Sequence, residues 1–109
     1  EKIVLSDTVL LELNKSFIIR SANEVCKKVF GYTPSELEGK MLKDFMINSS
    51  DLSQIQNETS TETFWNGVLL MKDRQGNEVK LLVSTGQVPD SVNNDDMYLI
   101  YGKDITNLS

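Results

Sequence analysis

The 109-residue sequence contains no histidine and one cysteine, Cys26. Without histidine there is no Ser-His-Asp or Cys-His nucleophile system, and no imidazole for zinc or haem iron. One cysteine cannot close an internal disulfide or fill a cysteine-rich zinc site. Cations are in the minority: 11 Lys+Arg stand against 16 Asp+Glu, a formal net charge of −5. A phosphate-binding surface needs the opposite balance, so nucleic acid is not an expected partner. No apolar run approaches the ~18 residues of a membrane-spanning helix. The longest, such as Val68-Leu69-Leu70-Met71, have strand length, so no direct membrane contact is expected. The acidic residues fall mostly in caps and loops, and no pair of them must converge, so two-carboxylate catalysis has no basis. The six glycines form no phosphate cradle. What is left is a soluble, cytoplasmic, non-enzymatic domain, and at this length residues 1–109 make one domain with a real core. The start without Met and the stop after Asp104-Ile105-Thr106-Asn107-Leu108-Ser109 suggest a piece of a longer, multidomain protein.

Thr8 to Leu13 is apolar and β-rich, Asn14-Lys15-Ser16 is turn-forming, and Phe17-Ile18-Ile19-Arg20 reads as a second strand, together a hairpin. The period then changes. Ser21-Ala22-Asn23-Glu24 has the spacing of a capping box, with Asn23 a competing cap, and Val25, Cys26, Val29 and Phe30 make a short helical stripe ended by Gly31. Thr33-Pro34-Ser35-Glu36 is a stronger start signal, with Leu37 as core contact and Gly39 as stop. Met41, Leu42, Phe45 and Met46 mark a third short helix, and Leu52 with Ile55 a fourth, followed by a polar loop. Strands return at Phe64–Lys72, Glu78–Val88 and Met97–Gly102, with a turn at Asp73–Asn77 and a polar loop at Pro89–Asp96. Segregated strands and helices imply an α+β fold: an antiparallel sheet with helices on one face.

Both faces of Met97 to Tyr101 are apolar. A sheet with one face in water keeps that face polar, so Met97, Leu99 and Tyr101 suggest a covered second face, the cover being a flanking helix, a partner subunit in a homodimer, or both. Cys26 lies on an apolar helical stripe and reads as a small buried hydrophobe.

Five segments together resemble the PAS domain family. They are Asn23 at the first helix, Gly31-Tyr32-Thr33-Pro34-Ser35-Glu36-Leu37-Glu38-Gly39-Lys40, Phe64-Trp65-Asn66-Gly67, Lys72-Asp73-Arg74-Gln75-Gly76-Asn77, and Asp104-Ile105-Thr106. The resemblance spans nearly the whole chain. It implies a five-stranded antiparallel sheet of order 2-1-5-4-3, short helices on one face, and a sensory or dimerising role in a signalling protein such as a sensor histidine kinase. It also implies a space between sheet and helices. The residues expected to line that space are Ile19, Val29, Leu37, Met41, Phe45, Val68, Leu70, Leu82, Ser84, Tyr98 and Ile100, either filling a core or surrounding a small organic molecule. Haem-binding relatives use a histidine near Ser50–Gln56, where this chain has Leu52 and Ile55. Cysteinyl-flavin photoreceptors place their cysteine near Met41–Ile47, where this chain has none. No cofactor is therefore expected. In the family, Asp104, Ile105 and Thr106 correspond to the exit toward a C-terminal effector domain, and a strand-end Asp or Thr can bond back to the sheet. A ligand-free interaction module is the alternative.

Overall fold

The alternation Thr8-Val9-Leu10-Leu11-Glu12-Leu13 sends Val9, Leu11 and Leu13 to one side, and all three are buried. This segment is β1 (Thr8–Leu13) in the computed structural model, which describes residues 8–59, 63–90 and 95–106. There follow β2 (Ile19–Ala22), α1 (Val25–Phe30), α2 (Pro34–Leu37), a 3-10 turn (Leu42–Phe45), α3 (Asp51–Glu58), β3 (Trp65–Lys72), β4 (Glu78–Asp90) and β5 (Asp95–Asp104). The strands form one antiparallel sheet of order β2-β1-β5-β4-β3, as the resemblance implies. Leu11 pairs with Ile100, Ile100 with Thr85, and Leu69 with Leu81, which sets one inner face across four strands. Buried Val25, Cys26, Phe30, Leu37, Leu42 and Ile55 join that face in a single core.

Several local expectations change. The second strand begins at Ile19 rather than Phe17, because Asn14 organises a longer turn. Its side-chain Oδ1 accepts from the Ser16 amide (2.8 Å) and the Ile18 amide (3.0 Å). Phe17 then takes a left-handed backbone, φ 60°. Ser21 and Glu24 form no capping box. Ser21 lies in β2 and donates to Glu12 Oε1 (2.9 Å), and α1 has no side-chain cap. Asn23 instead reaches back to β1, accepting from the Leu10 amide (3.2 Å) and donating to the Thr8 carbonyl (2.8 Å). The segment around Met41–Met46 is a single 3-10 turn, since Met41 and Met46 on either side are extended and make isolated bridges to Ile18 and Met71. The β4–β5 hairpin is longer than expected, with pairing running out to Asp90 and Asp95.

Other expectations hold. Thr33 and Glu36 form a complete capping box around Pro34, and Gly31 caps α1 in the left-handed region, φ 81°. The turn at Asp73–Asn77 then packs against that cap. Arg74 donates from its amide to the Phe30 carbonyl (2.8 Å) and from Nε to the Gly31 carbonyl (2.8 Å). Its guanidinium pairs with Glu36 and lies over the Tyr32 ring, 4.7 Å from the centroid. Two of the sequence segments noted above thus meet in space through one arginine.

Candidate functional site

Antiparallel pairing fixes which side chains share a face, and it divides the expected lining residues into two groups. Ile19, Leu37 and Ile100 are buried in the core, with Val29, Phe45 and Tyr98 packed at its margin. Val68, Leu70, Leu82 and Ser84 have the opposite parity. They face away from the helices, with Val68 48% and Leu82 52% exposed, so they do not line the interior. Met41 is also exposed, because its segment is a bridge and not a helix. On β3 and β4 the inner residues are Leu69, Met71, Val79, Leu81 and Val83. The polar residues of β4 already mark the parity: Lys80 and Ser84 flank Leu82 on the outward side. In β3 both parities are apolar, so composition cannot separate them.

The interior is apolar. Among the described residues the only buried polar side chains are Thr59 and Thr85, and both hydroxyls lack a hydrogen-bond partner. Phe17, not among the expected lining residues, is 1% exposed and stacks on Tyr98 with centroids 4.4 Å apart. Its apolar character was legible, but its inward direction depends on the left-handed turn. Cys26 is fully buried, and burial pushes its thiol up to about 11. Such a thiol stays protonated at neutral pH and is a poor nucleophile. The described residues contain no cluster of three or more His, Cys, Asp or Glu residues able to hold a metal.

The outer face gathers the other apolar residues. Tyr101 stands between Leu10 and Ser84, Leu99 lies between Glu12 and Gly86, and Leu82 pairs with Val68. Met97 shares this parity opposite Val88. A shallow depression of about 420 Å³ runs between Thr8, Asn66, Leu82, Ser84, Tyr101 and Lys103. Phe64, 57% exposed, lays its ring on this side where a Cβ at Gly86 would come within 3.2 Å of it.

At the end of β5 the chain is tied to β4. The Ile105 amide donates to the Lys80 carbonyl (2.8 Å), and the Lys80 amide donates to Thr106 Oγ1 (2.9 Å). The Thr106 hydroxyl donates in turn to Asp104 Oδ1, which also accepts from the Thr106 amide (2.9 Å). Asp104 orients the threonine, and the threonine holds the strand.

The family model for the PAS domain matches residues 6–107. The chain belongs to the PAS domain family. PAS domains are sensory and interaction modules. Solved PAS domains share the fold. That of an HTR-like protein from Haloarcula marismortui superposes with a TM-score of 0.77 at 20% identity, over 90% of this chain and 81% of that one. One from a Colwellia psychrerythraea protein gives 0.76 at 16% identity, over 91% and 86%. The PAS domain of a two-component sensor histidine kinase gives 0.75 at 11% identity, over 89% and 84%. No curated protein matches the sequence. At these identities the likeness is one of fold.

Proposed function

We propose that this PAS domain is the sensory and dimerisation module of a larger cytoplasmic signalling protein, a sensor histidine kinase, and that it passes its state to a C-terminal effector domain through Asp104, Ile105 and Thr106. The observation that carries the reading is the tether between this segment and Lys80. Ile105 and Thr106, just past the end of the central strand, bond to Lys80 of the neighbouring strand, and Asp104 holds Thr106 in place. A small slide of β4 against β5 therefore changes how the chain leaves the domain, a two-position element of the kind switches use. Lys80 shares the outward parity of Leu82 on β4, so contact on the outer face bears on the strand that holds the tether. A homodimer through Met97, Leu99 and Tyr101, extended by Val68 and Leu82, would load that strand directly. The kinase setting draws support from the fold likeness to the PAS domain of a two-component sensor histidine kinase.

The test is Thr106→Val in the full-length protein that carries this domain. The substitution keeps the shape and removes both hydroxyl bonds. A changed basal autophosphorylation rate with an intact domain supports the reading; unchanged output and unchanged signal response contradict it.

The second reading, a ligand-free interaction module, is favoured by the buried apolar core beside an exposed apolar face. In that case the protein purifies empty and its dimer alone governs output. A co-purifying small molecule in native mass spectrometry contradicts it.

A further inference from the structure

The two edges of the sheet end differently. β2 is covered by the chain after α2: the Ile19 amide donates to the Lys40 carbonyl (2.8 Å), and the Gly39 amide donates to the Ile19 carbonyl (2.8 Å). β3 is covered at one end only, where the Ile47 amide donates to the Leu70 carbonyl (3.1 Å) and Met46 bridges Met71. Leu70 thus turns its backbone away from β4, and alternation along the strand turns Asn66 and Val68 the same way. The far side of β4 agrees. Lys80 bonds toward β5, so the odd-numbered residues of β4 bond toward β3, where they pair with odd-numbered residues. The amides and carbonyls of Asn66 and Val68 therefore form an edge that no described residue caps.

Sheet edges are normally blunted by bulges, prolines or charges. This one has none of them. The β3–β4 register runs from Trp65 opposite Thr85 to Lys72 opposite Glu78 without a shift, and Trp65-Asn66-Gly67-Val68-Leu69 holds no proline and no charged residue. A cleft of about 610 Å³ opens beside the edge, lined by Asn57 and Glu58 of α3 and by Thr63, Phe64, Trp65 and Asn66. Its surroundings are acidic. Between Lys43 and Lys72 the sequence has no Lys or Arg, while Asp44, Asp51, Glu58 and Glu62 fall there. The cations of the outer face, Lys80 and Lys103, stand further in, on β4 and β5.

We propose that the open β3 edge at Asn66 and Val68 takes a cationic extended peptide as an added strand. The free amides and carbonyls supply the hydrogen bonds of strand addition, and the acidic cleft selects lysine or arginine in the incoming segment. A second copy of this chain fits less well, because its own β3 brings the same acidic surroundings to the edge. The site is the rim of the sheet and is separate from the apolar face around Leu82 and Tyr101.

The probe is the acetylated, amidated peptide Lys-Val-Thr-Val-Lys, titrated into the native chain and followed by NMR. The Asn66 and Val68 amides are expected to shift saturably and to gain protection from exchange. Binding is expected to weaken by about tenfold or more when glutamate replaces both lysines, and to weaken in high salt. Val68→Pro removes an outward amide without breaking a bond to β4, and is expected to abolish the response. Where that variant does not fold, the peptide N-methylated at its three central residues, which is expected not to bind the native chain, makes the same test. No saturable shift at millimolar peptide overturns the proposal, as do shifts confined to the outer face or the interior, or equal binding of the glutamate or N-methylated peptide. Protection of the Asn66 and Val68 amides that rises with protein concentration alone overturns it too, since a second copy would then close the edge.

Discussion

At Phe17 two opposing effects meet on one residue. A left-handed backbone costs a side-chain-bearing residue roughly 1–2 kcal/mol, while full burial of a phenylalanine contributes about 1.5–3 kcal/mol. Burial wins by a small margin, and only because the turn is pinned by Asn14. Glu36 shows a different balance. The Arg74 guanidinium, then the Thr33 amide, hold its carboxyl down at about 2, below the ordinary 4.5. A depressed acid contributes stability above its unfolded pKa and loses it as pH falls through the folded one. The midpoint difference between the native chain and Glu36→Gln is therefore expected to be full above pH 4.5 and to vanish toward pH 2. Because the pair is exposed, the difference is small and shrinks further in salt. A midpoint difference constant from pH 7 to pH 2 contradicts the assignment. Much at this scale was legible in the sequence: the Thr33 capping box and the Gly31 cap need only local chemistry. Phe17 was not, since nothing in the dipeptides around it announces a left-handed phenylalanine.

Between elements, the contacts that organise the domain come from side chains reaching across gaps in sequence. Asn23 binds β1 at Thr8 and Leu10 from the start of α1, and Arg74 binds the α1–α2 junction from the β3–β4 turn. Asn23→Ala leaves a strand amide and a strand carbonyl half-buried and unpaired. The expected loss is about 1–3 kcal/mol in urea unfolding; a loss below about 0.5 kcal/mol means that water replaces both bonds and the stitch is incidental. Element order and type followed from period and punctuation. Which face of β3 and β4 points inward did not, because Val68-Leu69-Leu70-Met71 is apolar on both parities and register depends on the partner strand. A tertiary constraint, the pairing of Leu69 with Leu81, decides it.

For the molecule as a whole, one face of the sheet is closed by the helices and the other carries an apolar surface around Leu82 and Tyr101. Tyr101→Asp is a cleaner probe of that surface than a change at Leu99, since Tyr101 is 48% exposed while Leu99 is half-buried beside Glu12. Sedimentation of the native chain is expected to show a dimer that Tyr101→Asp converts to monomer with little change in midpoint. A native monomer at high micromolar concentration, or a variant that stays dimeric, refutes the interface. The central claim concerns the exit from the domain, and amide hydrogen exchange reads it most directly. Protection of the Ile105 and Lys80 amides is compared between the native chain and Thr106→Val. If the Asp104–Thr106 tether holds the exit to β4, both amides lose protection by about tenfold or more in the variant while the core amides of Leu11, Leu81 and Ile100 keep theirs. Equal protection of Ile105 and Lys80 in the two proteins would contradict it.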